Sequence, residues 1–149
     1  MTEVWFYHLQ GRPLERTLPV LVERARERGW KAVIRAGSTE RLAVIDDLLW
    51  TYDEAGFLPH GLASDDDPAT QPVLLTTADE RPNDAEIAFL IDNAPLPAQA
   101  GYQRVVMLFD GADPEALDAA RAAWKQAKAD GHTVTYWQQD DSGRWTKKA

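Results

Sequence analysis

Strand-like and helix-like segments alternate along this chain of 149 residues, and this alternation restricts its fold more than any other feature. Runs of β-branched, aromatic and other apolar residues predict six strands, at 3–9, 31–36, 72–77, 87–92, 104–109 and 132–138. Amphipathic segments predict three helices, at 14–28, 39–50 and 114–130. Strands that alternate with helices are typical of an α/β sandwich with a largely parallel sheet, which is the fold class we expect.

Capping and turn-forming residues mark the ends of the predicted helices. Ser38 suits the N-cap of the second helix, and Asp113 followed by Pro114 is typical of the start of the third. Gly131 predicts the end of that third helix. Pro19 lies inside the first helix, so we expect a kink there or a later start.

Three stretches lack a regular pattern. Residues 51–71 predict a long loop, and residues 78–86 predict a polar turn region. The strand at 132–138 is predicted to be the last, and the polar tail 140–149 is expected to be loose. No internal repeat or linker divides the chain, so we expect a single domain over residues 1–149.

The charge balance restricts the classes of partner. The chain has 16 Lys and Arg against 24 Asp and Glu, a formal net charge of −8. Residues 61–100 hold one basic and eight acidic side chains, so most of the excess lies there. A protein that binds nucleic acid directly usually needs a broad basic track, so we expect no strong direct binding of nucleic acid.

Several kinds of site and location are disfavoured by simple absences in the sequence. There is no cysteine, which excludes disulfides, thiolate zinc sites and a cysteine nucleophile. No apolar run approaches the roughly 20 residues of a membrane span, and the first residues do not resemble a signal peptide. We therefore expect a cytoplasmic protein without a membrane partner.

The motifs of catalysis are also missing. The turn after the first strand has one glycine and no glycine-rich phosphate loop, and no GxSxG elbow marks a nucleophile. Gly37-Ser38 could hold an anion at a helix start, but a plain turn and cap is the favoured interpretation. The three histidines do not have metal-ligand spacing. His8 is expected to be packed, and His60 to be a hydrogen-bonding group or part of a contact surface. We expect no catalytic site, no metal and no cofactor.

The third helix carries the most informative surface. At 100° per residue, four alanines form one narrow stripe that would let the helix lie close to the sheet: Ala116, Ala120, Ala123 and Ala127. Arg121, Lys125 and Lys128 fall well off that stripe, and Trp124 lies on the flank between them. The pattern is compatible with a solvated basic face beside a core tryptophan. It is also compatible with a pocket for an acidic peptide that bears an aromatic ring, because arginine can bind a carboxylate with two parallel hydrogen bonds.

A second group of aromatic residues lies where the second helix ends, in the sequence LLWTYDEAGFLPHGLA at 48–63. It contains Trp50, Tyr52, Phe57 and Leu58. Loop aromatics of this kind either cover the core or form an exposed contact surface for a partner.

These segments, in their order and spacing, resemble the chi subunit of bacterial DNA polymerase III holoenzyme over nearly the whole chain. The similar segments are FYHL (6–9), RAGSTERLAVIDDLLW (35–50), FLPHGLA (57–63), QPVLLTT (71–77), RVVMLFDG (104–111) and ARAAWKQAKADGHTVTYWQQDDSGRW (120–145). The resemblance implies a Rossmann-like, three-layer α/β fold without nucleotide chemistry. It also implies a non-enzymatic subunit that links the clamp loader to single-stranded-DNA-binding protein by binding the acidic C-terminal tail of that protein.

The resemblance also implies which residues bind that tail. The arginine and the aromatic–lysine pair of the family's tail pocket match Arg121, Trp124 and Lys125, with Phe109 as an apolar wall. Two positions depart from the family: a tyrosine is replaced by Trp124, and a lysine is replaced by Leu117. Lys128, further along the helix, is a candidate substitute for that lysine.

The resemblance further implies a second surface that binds the psi subunit of the clamp loader or, in competition with it, an accessory helicase. This surface matches Leu49, Trp50, Phe57 and Leu58. Two alternatives stay open from the residues alone: a nucleotide- or phosphate-binding enzyme on the same fold, and a structural subunit without a tail pocket.

Overall fold

The computed structural model describes residues 2–9, 14–51, 60–62, 67–97, 101–139 and 144–148. Within these ranges the strands are β1 Glu3–Leu9, β2 Ala32–Arg35, β3 Gly61–Leu62, β4 Val73–Thr76, β5 Ile87–Leu90, β6 Arg104–Asp110, β7 Thr133–Gln139 and β8 Trp145–Lys147. The α-helices are α1 Leu14–Glu27, α2 Thr39–Thr51 and α3 Pro114–Ala129.

All eight strands belong to one sheet, in the order β3-β4-β2-β5-β6-β1-β7-β8. Every neighbouring pair is parallel except β7 and β8, which are antiparallel. The central strands β1 and β6 are seven residues long and read as nearly continuous apolar runs, as expected of strands that are covered on both faces. The predicted α/β class with a largely parallel sheet is confirmed.

The sheet separates two hydrophobic clusters because successive side chains of a strand point to opposite faces. On one face Tyr7 of β1 packs in a cluster that includes Leu18 of α1 and Ile45 of α2. On the other face Phe6 of β1 packs in a cluster that includes Ala120 of α3. Among the described helices, α1 and α2 therefore pack on one face of the sheet and α3 packs on the other.

The predicted helix ends are confirmed by their hydrogen bonds. The Ser38 hydroxyl accepts a hydrogen bond from the backbone N–H of Arg41 at 3.2 Å, and the Asp113 carboxylate accepts one from the N–H of Glu115 at 3.0 Å. Gly131 follows the last turn of α3 with φ +82°, a conformation that glycine adopts without strain. The alanine stripe also faces the sheet, as predicted: Ala116, Ala120 and Ala127 are buried.

The first helix begins at Leu14 and continues through Pro19, which excludes the later start, one of the two alternatives for that proline. Two other expectations about regular structure were wrong. The stretch predicted as a long loop contains β3, and the tail predicted to be loose contains β8. Both strands have only two or three residues, which is too short for a periodic signal. They form because they pair with β4 and β7, which are already in place at the sheet edges.

Candidate functional site

The candidate site lies where β1, β6 and β7 end, on the face of the sheet that α3 covers. The three strands are parallel, so their carboxyl ends meet at one edge. His8 of β1 lies opposite Phe109 of β6, and Phe6 lies opposite Tyr136 of β7. Alternate residues of a strand point to the same face of the sheet, and all four side chains point to the face that α3 covers. They form an aromatic surface beside the helix.

The aromatic rings form a continuous row from the sheet to the helix. The Phe109 and Tyr136 ring centroids are 6.1 Å apart, and Tyr136 and Trp124 are 5.8 Å apart. The Trp124 ring is also 5.3 Å from Phe6. All three contacts have tilted or edge-to-face geometry, which is the preferred arrangement of aromatic pairs. Tyr136 therefore connects the predicted wall residue Phe109 to the predicted pocket residue Trp124.

Tyr136 was missed by the sequence reasoning. The alternation in the last predicted strand contained a signal, because it places Tyr136 and Trp137 on opposite faces. The sequence did not show that the face of Tyr136 is the one that carries α3. This assignment depends on the pairing of β7 with β1, which brings residues more than a hundred positions apart into contact.

The cations of α3 lie beside this row and are exposed, as predicted. Arg121, Lys125 and Lys128 are all on the solvent side of the helix, and Trp124 is half-buried between them and the sheet. The Lys128 ammonium lies 5.0 Å from the centre of the Trp124 ring, within the range of a cation–π contact. Leu117, which stands where the resemblance implies a lysine, packs against the core beneath α3.

The guanidinium of Arg121 is available to a ligand. Its side chain is 69% exposed, and its contact with Asp118 is a loose one of 3.8 Å between residues one turn apart. Such exposed pairs contribute little to stability. Arg121 also acts on Tyr136: burial raises the pKa of the Tyr136 hydroxyl, and the positive charge of Arg121 opposes that rise. Both side chains adjoin Trp124: the Tyr136 ring contacts the Trp124 ring, and Arg121 precedes Trp124 by one turn of α3.

His8 lies beneath the row and is buried, as predicted. Its Nδ1 is 2.6 Å from the Tyr136 hydroxyl oxygen. Burial lowers the pKa of His8, and the nearby carboxylate of Asp110 partly opposes this. The other ring nitrogen, Nε2, is buried without a hydrogen-bond partner among the described residues. It lies against Gly111, where an added Cβ would be closer to Nε2 than any real contact allows.

The ring of Phe109 is largely covered. The residue is 5% exposed. The cavity that Phe109 lines with Met107 and Ala116 measures about 10 Å³, which is roughly the space of one water molecule. The structure therefore brings Phe109 to the predicted site, but the ring surface open to a ligand belongs to Tyr136 and Trp124.

The second predicted surface is described only in part, since Phe57 and Leu58 lie outside the described residues. Trp50, at the end of α2, is 51% exposed and is one of the large hydrophobic side chains with most surface in solvent. Leu49 is 2% exposed and packs in the core with α1, so the ring that faces outward here is Trp50.

His60 forms a hydrogen-bonding group beside that surface, which agrees with one of the two expectations for it. Its Nε2 is 3.0 Å from a carboxylate oxygen of Asp46, and its ring lies 4.4 Å from the Trp50 ring. His60 is buried, so it packs beneath the Trp50 ring and is not itself exposed to a partner.

The start of α2 favours the turn-and-cap interpretation of Gly37-Ser38 over an anion site. The Ser38 hydroxyl is 2.9 Å from the carboxylate of Asp92, so the chain already places a negative group there. The backbone of Asp92 passes so close to Gly37 that a Cβ would overlap its carbonyl oxygen.

Two further observations concern other kinds of site. Within the described ranges, no group of three or more His, Cys, Asp or Glu side chains is arranged to hold a metal ion. None of the helices in that part of the chain is long and apolar enough to cross a membrane.

Comparison with known proteins adds independent information. The family model for the DNA polymerase III chi subunit, HolC, matches residues 1–135. A protein of Rickettsia prowazekii (strain Madrid E) named "Probable DNA polymerase III subunit chi" is 29% identical over 91 residues. That match covers 61% of this chain and 55% of the relative, so the chain spans about half the length of the relative it matches.

Proposed function

Because the chain belongs to the family of DNA polymerase III chi subunits, we propose that it is a non-catalytic accessory subunit that links the clamp-loader assembly to single-stranded-DNA-binding protein. In this proposal it binds the acidic C-terminal tail of that protein through the site on α3. The formal net charge of −8 supports recognition of a protein tail rather than of the DNA itself.

The observation that carries the proposal is the association of exposed cations with the partly exposed rings of Trp124 and Tyr136. Arg121 would bind the terminal carboxylate by charge-assisted hydrogen bonds. Trp124 and Tyr136 would contact a terminal aromatic ring, in the edge-to-face geometry that the row already uses. Lys125 and Lys128 would attract acidic residues farther from the end, mainly by accelerating association.

The second surface supports a proposal for another partner. We propose that Trp50 contributes to binding the psi subunit of the clamp loader, or an accessory helicase that competes with it. The exposed indole of Trp50 supports this, because large aromatic rings at interface centres contribute strongly to binding. Leu49 would hold the end of α2 from within the core, and Phe57 and Leu58 would complete the contact.

The remaining parts of the proposal concern fold, location and nucleic acid. We propose a single domain of Rossmann-like, three-layer form, supported by the two clusters that the sheet separates. We also propose a cytoplasmic location and no strong direct binding of nucleic acid. The phosphate-binding alternative is not favoured, because the Asp92 carboxylate lies at the start of α2.

Calorimetric titration with a synthetic peptide tests the tail site. The probe carries three aspartates, two alanines and a C-terminal phenylalanine with a free carboxylate. Arg121→Ala is expected to weaken binding by about 2 kcal/mol, since hydrogen bonds to charged groups contribute roughly this much. A peptide that lacks the terminal phenylalanine is expected not to bind, because it loses the ring and moves the carboxylate. Equal affinities of the wild type and Arg121→Ala would locate the peptide elsewhere.

A further inference from the structure

The hydrogen bond between His8 and Tyr136 has a direction that the surroundings of His8 determine. A neutral imidazole carries one proton, on Nδ1 or on Nε2. The neutral form is favoured here because burial lowers the pKa of His8. Nδ1 is 2.6 Å from the Tyr136 oxygen, whereas Nε2 is buried against Gly111 without a partner.

The proton of His8 is therefore better placed on Nδ1. A buried N–H that finds no acceptor loses a hydrogen bond to water, and such orphaned donors are rare in folded proteins. With the proton on Nδ1, His8 donates to the Tyr136 oxygen, and only a bare lone pair of Nε2 remains without a partner. The Tyr136 O–H is then not used within this pair and donates away from His8.

We infer that the Tyr136 hydroxyl is a second hydrogen-bond donor to the carboxylate that Arg121 binds, and that His8 is the positioning residue that orients it. The inference rests on the proposed tail site. Tyr136 is partly exposed and its ring contacts Trp124, which lies one turn after Arg121 on the same side of α3. The positive charge of Arg121 also opposes the raised pKa of the Tyr136 hydroxyl. A hydroxyl and a guanidinium on either side of the same ring can donate to one carboxylate bound beside that ring, which would make a two-donor site for an anion.

This arrangement has a consequence for specificity. Arg121 alone is an exposed cation that would attract any acidic side chain. A neutral O–H held at a fixed position by a buried ring adds a directional requirement, because a hydrogen bond weakens steeply when its angle departs from linear. The pair of Tyr136 and Arg121 would therefore favour a carboxylate at the end of a chain, attached beside the aromatic ring that contacts Trp124, over acidic side chains farther along the peptide.

The first test locates the proton of His8 without any ligand. Long-range ¹⁵N–¹H spectra of the full chain report which imidazole nitrogen is protonated at neutral pH. The expected result is a protonated Nδ1 and a bare Nε2. A protonated Nε2 would mean that the Tyr136 proton is committed to His8, which would overturn the inference and leave the proposed tail site intact.

The second test is calorimetric titration with the acidic peptide that ends in a free phenylalanine, and with the same peptide as its C-terminal amide. Tyr136→Phe keeps the ring and removes the hydroxyl. It is expected to weaken binding of the free acid about tenfold, the lower end of the range for hydrogen bonds to charged groups. The difference in affinity between the two peptides should shrink in this variant, which a change in ring packing alone would not produce.

Variants of His8 test the positioning role. His8→Leu should reproduce the loss seen in Tyr136→Phe, and the double variant should show no further loss, because both changes remove the same donor. His8→Asn, whose side-chain amide can donate from nearly the same position, should restore most of the affinity. Tyr7→Phe is the matched control: Tyr7 is the next residue of β1, and its ring is on the opposite face of the sheet. It should bind within about twofold of the wild type.

The outcomes separate the inference from the proposed function. If Arg121→Ala loses affinity while Tyr136→Phe and His8→Leu bind as the wild type does, the inference is wrong and the tail site stands. If the wild-type protein does not bind the peptide, or if Arg121→Ala binds it equally well, the tail site is wrong and the inference is wrong with it.

Discussion

Two regions of the molecule combine an arginine with a tryptophan, and they use the arginine differently. At the amino ends of β1 and β6, the Arg104 side chain is 15% exposed, bonds the Glu3 carboxylate at 3.0 Å and lies 3.8 Å from the centre of the Trp5 ring. At the carboxyl ends, Arg121 is 69% exposed, and its contact with Asp118 is 3.8 Å long. The Arg104 guanidinium is fixed by two contacts, whereas the Arg121 guanidinium has one long, exposed ion pair within the described part of the chain.

The tryptophan rings show the same contrast. Trp30 lies with Trp5 near the amino ends of the strands, here called the amino edge, and its ring centre is 4.2 Å from Arg28 and 5.3 Å from Arg104. The rings of Trp5 and Trp30 line a hollow of about 430 Å³, which is large enough for a small ligand. Arginines of the chain itself already contact both rings. Among the described residues, one cation contacts the ring of Trp124 at the carboxyl ends of the strands, the exposed Lys128. Similar residue types therefore stabilise the fold at one edge and are available to a ligand at the other.

The largest expected effect tests the structural role of the amino edge. Arg104→Ala removes a charge-assisted hydrogen bond and a stacked cation, so it is expected to lower the free energy of unfolding by about 2 kcal/mol. Arg121→Ala is expected to change it by less than about 0.5 kcal/mol, as is usual for exposed residues. Urea denaturation of both variants measures the difference.

Arg104→Lys is the control for that comparison. Lysine keeps the positive charge beside Glu3 but lacks the planar group that lies over Trp5. It should recover part of the lost stability, and the part not recovered measures the stacking. Equal stability of the wild type and Arg104→Ala would show that the two arginines are alike, and the comparison between the edges would fail.

A smaller effect concerns the rim of the tail site. Lys128→Ala is expected to weaken peptide binding by less than about 1 kcal/mol, because an exposed ion pair contributes little. This contribution should decrease further as salt is added, since salt screens exposed charges. Lys147→Ala removes the same charge from β8 and serves as the control. A loss as large as that of Arg121→Ala would make Lys128 a principal contact.

The smallest expected effect is on the pH dependence of stability. Burial lowers the pKa of His8 from its ordinary value of 6.5, and the Asp110 carboxylate partly opposes this shift. The unfolded chain therefore binds more protons than the folded chain between the two pKa values. The free energy of unfolding should fall as the pH is lowered through 6.5 toward the pKa of the folded state. His8→Asn should show a shallower decrease in urea denaturation over that range, and an unchanged slope would contradict the expectation.

Much of the fold was readable from the sequence because its signals are local. The strands at the centre of the sheet are long apolar runs, and Ser38, Asp113 and Gly131 mark helix ends through contacts with neighbours a few positions away. The edge strands were not readable. The residues of β3 and β8 become strands only by pairing with a neighbour, and no pattern of two or three residues encodes that pairing.

The candidate site shows the same division between local and long-range information. The helical spacing of Arg121, Trp124 and Lys125 was sufficient to place these residues on one side of α3. Tyr136 and His8 are brought beside these residues by the pairing register of β1, β6 and β7. The sequence pattern alone does not predict that register. Phe109 was predicted as an apolar wall of the pocket. Its ring lies at the site, but most of it is covered, because the alanines of α3 let the helix lie close to the sheet.

The shortness of the two edge strands limits how any partner can approach the sheet. An exposed strand offers a row of unpaired backbone groups, to which another chain can add a strand of its own. Here the described sheet ends in β3, with two residues, and in β8, with three, so each border presents only a few backbone positions for such pairing. Strand addition at these described borders would use few hydrogen bonds and would be poorly selective. Selection between partners would therefore depend on side chains of the helices and of the two faces of the sheet.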